Sequence, residues 1–238
     1  ADVEHIDYQA ALDALPHVFV PDPDTPRLDG LMSAWVEITG PLRRPAEWEV
    51  AAQMDISGLK EAAKQQEPIF LKGSFKYKPV NKEGQTREII VGKENPVFVP
   101  IAELPNHVPR SVTTSEDGAF FTHNGFDFEE IKNSFLADAE SGRAMRGGST
   151  ISQQLAKNLY LTSSEKTIAR KVREAFVTVA LEASLPKNRI LEIYLNIIEW
   201  GPNLYGIGEA AKHYFNKDAR RLTAKEAAYL ATVIPNPV

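Results

Sequence analysis

Cysteine is absent from all 238 residues, which removes disulfides, thiolate nucleophiles and sulfur-ligated zinc or iron sites together. No stretch approaches the roughly 18–20 consecutive apolar residues of a membrane span. No charged-then-apolar signal segment opens the chain either. Histidine is scarce and scattered: His5, His17, His107, His123 and His213 include no His-x-x-x-His pair suited to zinc. A Gly-x-Ser-x-Gly elbow, a phosphate-cradling Gly-rich lysine loop, low-complexity tracts and fixed-period repeats are all missing. Positive charge is also short overall, with 27 Lys+Arg against 32 Asp+Glu for a net charge of −5. That balance argues against a dedicated nucleic-acid binder.

What is present is ordinary for a globular protein. Hydrophobic residues make up 43% and charged residues 25%, enough to exclude wholesale disorder and to bury the core of one large or two small domains. The first residue, Ala1, leads us to expect a processed or trimmed chain whose targeting or anchoring segment lies outside it.

The first hundred residues read as β-structure and loop. Trp48, Val50, Ala52, Met54 and Ile56 alternate with polar or small residues, the period of a half-buried strand. Ile69, Leu71, Gly73, Phe75 and Tyr77 alternate likewise. The turn Asn81-Lys82-Glu83-Gly84 then predicts a hairpin return over residues 87–91. Residues 32–39 and 97–101 are further strand candidates, and Pro21, Pro23 and Pro26 keep the segment before Leu28 irregular. Their sum is a one-sided antiparallel sheet.

From about Pro105 the pattern becomes helical, with marked starts. Asp127 and Glu130, Thr150 and Gln153, Thr162 and Glu165, and Thr223 and Glu226 each have the spacing of a helix N-cap and its third residue. Phe126 and Ile131 suit a hydrophobic staple. Ile168, Val172, Phe176, Val179 and Ala183 predict one apolar stripe, and Leu191, Tyr194, Leu195 and Ile198 another. The fold class is therefore α+β, divided into a β-rich region at 1–104 and a helical unit at 105–238.

The polar residues also sort by helical spacing. Ile151, Leu155 and Leu159 face one way, while Thr150, Gln153, Gln154 and Lys157 gather opposite them. Most such faces are simply solvated, but paired amides beside a hydroxyl and a lysine are an uncommon solvent face. Arg146-Gly147-Gly148-Ser149 leads into this helix start, a natural position for anionic oxygen. Between residues 143 and 173 the basic residues are Arg143, Arg146, Lys157, Lys166, Arg170, Lys171 and Arg173, and the only acid is Glu165. Positive charge concentrated in an acidic chain points to phosphate or diphosphate. Glu174 sits four residues after Arg170 and three after Lys171, the spacing of a surface ion pair. Glu116-Asp117 precede Phe120-Phe121 and His123; a carboxylate near aromatics is a candidate general base. On its own the pair reads more readily as a helix-end carboxylate.

In order, these segments resemble the motifs of the peptidoglycan glycosyltransferases, glycosyltransferase family 51. Residues 116–127, beginning Glu116-Asp117-Gly118-Ala119-Phe120-Phe121, resemble the first motif. Arg146-Gly147-Gly148-Ser149-Thr150 with Gln153, Gln154, Lys157 and Asn158 resembles the second. Arg170-Lys171-Val172-Arg173-Glu174, continuing to Glu182 and Lys187, resembles the third. Residues 190–196, ending in Asn196, with Glu199-Trp200-Gly201 resemble the fourth, and residues 206–215 and 226–237 complete the series. Five such segments in order are not expected by chance.

The resemblance covers residues 105–238 and implies a lysozyme-like fold with a head, a smaller membrane-facing jaw and a cleft between them. It implies polymerisation of lipid II into β-1,4-linked glycan with inversion at the donor sugar. Glu116 maps to the general base and Glu174 to the carboxylate on the donor diphosphate side. Asp117, Phe120, His123, Arg146, Ser149, Thr150, Gln153, Gln154, Lys157, Arg170, Lys171 and Asn196 map to substrate binding. No cofactor is required by the sequence, although a divalent ion such as Mg²⁺ bridging Glu174 and the diphosphate is a further expectation.

The implied partners are lipid II, the growing glycan strand, the membrane surface and other cell-wall synthesis proteins, but no nucleic acid. The implied location is the outer face of the bacterial cytoplasmic membrane, with membrane contact through residues 128–145. Gly118-Ala119 departs from the bulkier or charged residues of many members. Glu199-Trp200-Gly201 looks more like the monofunctional type, and the β-rich half is unlike the family's usual anchor helix. Two rivals stand beside this reading: a lytic, glycan-cleaving enzyme, and a module that binds lipid II or cell-wall partners without turnover.

Overall fold

A single long helix, α5, carries apolar residues on two faces, and each face has its own hydrophobic core. The computed structural model describes every residue except 1, 22–24, 26, 42–43, 45–46, 63–69, 82–83, 142–147, 162–166 and 236–238. The chain runs β1 (Asp2–Asp7), α1 (Tyr8–Asp13), β2 (Leu28–Thr39), β3 (Glu49–Asp55), β4 (Leu59–Glu61), β5 (Phe75–Tyr77) and β6 (Ile89–Val91). It then becomes helical: α2 (His107–Glu116), α3 (Phe128–Ser141), α4 (Ile151–Tyr160), α5 (Ile168–Ser184) and α6 (Lys187–Ile197). A short hairpin of β7 (Glu199–Gly201) and β8 (Leu204–Tyr205) precedes α7 (Ile207–Phe215) and α8 (Ala224–Val233). The result is the expected α+β arrangement.

The N-terminal sheet is antiparallel, with the 12-residue β2 at its centre. β1 and β3 pair on either side of β2, with Val3 opposite Ala34 and Val36 opposite Ala52, and β4 pairs with the start of β2. Alternation on β3 follows the sequence: Val50, Ala52 and Met54 are half-buried while Glu49, Ala51, Gln53 and Asp55 are exposed. β2 and β4 approach too closely for side chains where they meet. A Cβ on Gly30, at φ +120°, would lie 2.2 Å from the Gly58 carbonyl oxygen, so glycine is required there.

Residues 71–104 pack with the helices instead of with this sheet. Leu71, Phe75, Tyr77, Ile89, Val91, Phe98 and Val99 belong to the same buried cluster as α4, α6 and α8. Arg189 of α6 donates to the carbonyl oxygens of Leu71 (2.8 Å) and Gly73 (2.5 Å). The β5–β6 hairpin forms as the turn predicts, with Lys76 opposite Ile90, but β5 starts only at Phe75. Residues 70–72 form a 3-10 turn, and Ile69 lies outside the described residues. Residues 97–101 are not a strand. Pro96 and Pro100 bracket the segment and lack N–H donors. The backbone N–H and C=O of Val99 instead bond the Asn196 side-chain amide, at 3.0 and 2.9 Å.

The helix starts follow the cap spacing. Thr150 with Gln153 and Thr223 with Glu226 form complete capping boxes, each satisfying backbone donors that a helix leaves unpaired. Asp127 accepts from the Glu130 N–H at 2.9 Å. α5 opens later than the sequence indicates, at Ile168, with Thr167 as its N-cap. Thr162 and Glu165 lie outside the described residues, as do Pro23 and Pro26.

The expected stripe on α5 describes only one of its two buried faces. Val179, Phe176 and Ala183, with Ala180, meet Tyr8, Leu28, Ile56 and Leu59 of the N-terminal unit. Val177 and Leu181 enter the helical core. Ile168, in the first turn, is 81% exposed because it precedes both contacts. The Tyr8 hydroxyl seals the N-terminal contact by donating to the Phe176 carbonyl at 3.1 Å.

Leu28→Ala tests whether the two units unfold together. Removing this fully buried side chain lowers stability by about 2–5 kcal/mol, and urea unfolding followed by far-ultraviolet dichroism keeps one transition at a lower midpoint. Helical signal melting at the wild-type midpoint would mean that the sheet does not stabilise α5.

Candidate active site

Glu116 is the last residue of α2, and the chain leaves the helix there because Asp117 turns to an extended conformation. Asp117 is buried, and both its oxygens are occupied. Oδ2 accepts the N–H of Ile151, the first residue of α4, at 2.9 Å, and Oδ1 accepts from His123 Nε2 at 2.9 Å. A carboxylate at the N-terminus of α4 satisfies an unpaired backbone donor and complements the helix dipole. His123 Nδ1 accepts the Gly125 N–H at 3.0 Å, so the hydrogen-bond network assigns the ring proton to Nε2. Thr150 Oγ1 then donates to the Gly125 carbonyl at 2.7 Å. Gly125 has φ +93°, and a Cβ there would lie 2.7 Å from Thr178 Cγ2, so the turn requires glycine.

This closed network alters the reading of several residues expected to bind substrate. Asp117, His123, Thr150 and Gln153 spend their polar atoms on each other and on the backbone. Phe120 is 0% exposed, under the Lys187 ammonium at 4.5 Å from its ring centre. Asn196 is buried and bonded to Val99 and the Glu192 carbonyl. Asp117, His123, Thr150 and Asn196 thus have their side-chain polar atoms committed within the protein, as does Gln153 through Oε1. Phe121, not Phe120, is the exposed aromatic of the pair, at 57%, and its ring meets Phe120 edge-on at 4.9 Å.

Glu116 itself is half-buried and accepts a hydrogen bond from Gln154 Nε2 at 3.1 Å. Burial pushes its carboxyl above the ordinary range. The Gln154 bond opposes that shift and the neighbouring Asp117 charge adds to it. Gln154 is held in turn by the Tyr194 hydroxyl, which donates to its Oε1 at 2.9 Å. Tyr194 stands in the apolar stripe of α6, so its helical spacing marks it as core. The remaining signal is chemical, because a buried tyrosine hydroxyl needs a partner.

One turn along α4 from Gln154, Lys157 enters a second charged group. Glu174 of α5 is only 3% exposed, and Arg170 Nη1 meets its Oε2 at 2.9 Å. Lys171 pairs with its Oε1 and reaches Ser149 Oγ at 3.4 Å. Lys157 stays accessible, but the protein crowded around its ammonium holds it below the usual lysine range. Glu174 pulls the other way, and Arg170 and Lys171 add to the lowering. Three cations thus surround one carboxylate, leaving net positive charge beside Ser149 and the α4 N-terminus. Arg146 lies outside the described residues.

Each Glu174 oxygen carries a cation partner, and among the described residues no three acidic or histidine side chains form a group that could hold a metal by themselves. A third network lies beneath the first motif. Glu182 pairs with Lys187 at 2.7 Å and accepts from Ser152, joining α4, α5 and α6 below Phe120.

Residues 83–238 match the family described as transglycosylase. Over 140 residues the chain is 49% identical to a biosynthetic peptidoglycan transglycosylase of Laribacter hongkongensis, covering 59% of this chain and 61% of that protein. The protein of the same description from Nitrosospira multiformis is 46% identical over 59% and 60% of the two chains. That from Aromatoleum aromaticum is 49% identical over the same shares. The match thus spans about three-fifths of the length of these relatives.

Asp117→Ala separates positioning from ligand contact. It strands the Ile151 N–H and the His123 ring, so stability measured by urea unfolding falls by about 2–4 kcal/mol. A change within about 0.5 kcal/mol, as for an ordinary surface residue, would contradict the positioning role.

Proposed function

The chain belongs to the transglycosylase family, and from that premise we propose that it is a peptidoglycan glycosyltransferase, joining lipid II into β-1,4-linked glycan and releasing polyprenyl diphosphate. The observation that carries this reading is the pair of unlike sites along α4. Gln154 touches a half-buried carboxylate on one side, and Lys157, one turn away, faces a cation-rich cluster on the other.

The reaction needs both. A sugar hydroxyl is a poor nucleophile near neutral pH, so a base must take its proton as the new bond forms. Glu116 has that role. Its partial burial makes it a stronger base than an exposed carboxylate, and Gln154 orients the oxygen that faces α4. The hydroxyl oxygen bonds to the donor's anomeric carbon while the bond from that carbon to the diphosphate oxygen breaks. Glu116 receives the proton and the electron pair leaves with the diphosphate. One in-line displacement turns the α-linked donor into a β-linked product without a covalent enzyme intermediate.

The leaving diphosphate calls for cations more than for an acid. Arg170, Lys171 and Lys157 supply them, and Ser149 adds a hydroxyl at the helix start. Glu174 is the anchor of this cluster: it holds Arg170 and Lys171 in place and leaves a net positive surface. Cleavage of finished glycan has no use for such a cluster, which disfavours the lytic alternative.

The polyprenyl tail of the substrate brings the protein to the membrane surface at the cell envelope. Among the described residues no helix is long and apolar enough to cross a membrane. Contact through α3, where Phe128 and Ile131 precede the second motif, is part of the proposal.

Glu116→Gln tests the assignment with purified lipid II. Wild type makes polymer; the variant loses about 10²–10⁴-fold in kcat at unchanged substrate binding. Because the base must be ionised and burial raises its pKa, wild-type kcat/KM falls as the pH drops through a limb above the usual carboxylate value of about 4.3. Polymer formed at the wild-type rate by the variant, or hydrolysis of finished strands by wild type, would overturn the proposal.

A further inference from the structure

Between α6 and the proposed base runs a two-bond relay that the reaction chemistry does not itself require. The Tyr194 hydroxyl donates to Gln154 Oε1 at 2.9 Å, and Gln154 Nε2 donates to Glu116 Oε2 at 3.1 Å. We propose that Tyr194 is a positioning residue for the base, holding the Gln154 amide with its nitrogen end on Glu116. The assignment deepens the reading of Glu116 as general base and rests on it.

A glutamine amide has an oxygen end that only accepts and a nitrogen end that only donates. The ionised Glu116 carboxylate only accepts, so it takes the nitrogen end of Gln154. Tyr194 is fully buried, and burial first, then the charges of Glu116 and Asp117, hold its phenol protonated. It therefore keeps a proton to donate across the working pH range, and by donating to Gln154 Oε1 it adds a second bond to the orientation that sets Nε2 on Glu116. The nitrogen end is then directed at Glu116, where its N–H stabilises the ionised carboxylate.

Without the phenol the amide oxygen loses its partner, and the amide is free to turn away from the carboxylate. That weakens the Gln154 bond that favours the ionised form and so raises the pKa of the base. The other groups around Glu116 do not compensate. Asp117, its neighbour, is negative and committed to Ile151 and His123. On the α8 side the adjacent Ser115 bonds the neutral Ala231 carbonyl.

A double-mutant cycle on the full chain tests the relay. The pH dependence of kcat/KM for lipid II polymerisation is compared for wild type, Tyr194→Phe, Gln154→Ala and the double variant, with urea midpoints measured alongside. Each single substitution is expected to move the acidic limb upward by about 0.5–1 pH unit, while the double variant moves no farther than Gln154→Ala alone. A purely structural role for Tyr194 would lower the urea midpoint without moving the limb.

An unmoved limb in Tyr194→Phe, or shifts that add in full in the double variant, would overturn the proposal. Should Tyr194→Phe fail to fold, Gln154→Ala trims a half-buried side chain and carries the test of the bond on which the relay ends: an unmoved limb overturns the relay. Polymer formed by Glu116→Gln would remove the base assignment itself, whereas an inactive Glu116→Gln with additive shifts removes only the role of Tyr194.

Discussion

The carboxylate of Asp117 is the constraint on which the site depends. It joins the exit of α2 to the entrance of α4, two points 34 residues apart in sequence, through one backbone N–H. Its second oxygen recruits His123, which closes the turn at Gly125, and Thr150 locks that turn to the same helix start. Every bond in the loop is internal, and in a buried setting each is costly to leave unmade. Glu116, one residue earlier, therefore leaves α2 at a fixed position relative to Gln154. The proposed base is placed by its neighbour.

The cation cluster works on the opposite principle. Glu174 is buried among three positive side chains, and a buried carboxylate is tolerated when each oxygen is paired. Here the pairing is lopsided by design of the sequence: one negative charge organises more than one positive charge. The anchor spends the directional bonds of Arg170 and Lys171 on their geometry, and the excess charge remains for a ligand. A chain with net negative charge thus presents a positive surface where two helices meet.

Much of this was legible in the sequence because local rules and tertiary packing agree. The caps at Thr150 and Thr223, the alternation through Trp48 to Ile56 and the charge bias around Arg170 all depend on near neighbours. Glu116, Gln154, Lys157 and Glu174 were legible as candidates, and the structure brings Glu116 of α2 and Glu174 of α5 alongside Gln154 and Lys157 of α4. Failures occurred where two residues share a chemistry but not an environment. Nothing in Phe120-Phe121 says which ring is buried, and Thr150 and Gln153, legible as a cap, were assigned to substrate as well, although the capping box takes the Thr150 hydroxyl and Gln153 Oε1. Tyr194 was hidden because a tyrosine in an apolar stripe looks like core until its hydroxyl partner is known. Residues 97–101 have the composition of a strand, but their hydrogen-bond partner is a side-chain amide 97 residues away.

The two-faced burial of α5 also bears on how such a chain changes over generations. A helix with one buried face can accept nearly any polar residue on the other. α5 has little of that latitude, because Val177 and Leu181 answer to one core while Phe176, Val179, Ala180 and Ala183 answer to another. Residues that meet the sheet are interleaved along α5 with residues of the helical core, just after the turns that carry Arg170, Lys171 and Glu174. In this chain the sheet and the helix are shaped for each other. A change at Tyr8, Leu28 or Leu59 calls for a matching change on α5, and exchanging the sheet for another would expose a surface shaped for the lost one.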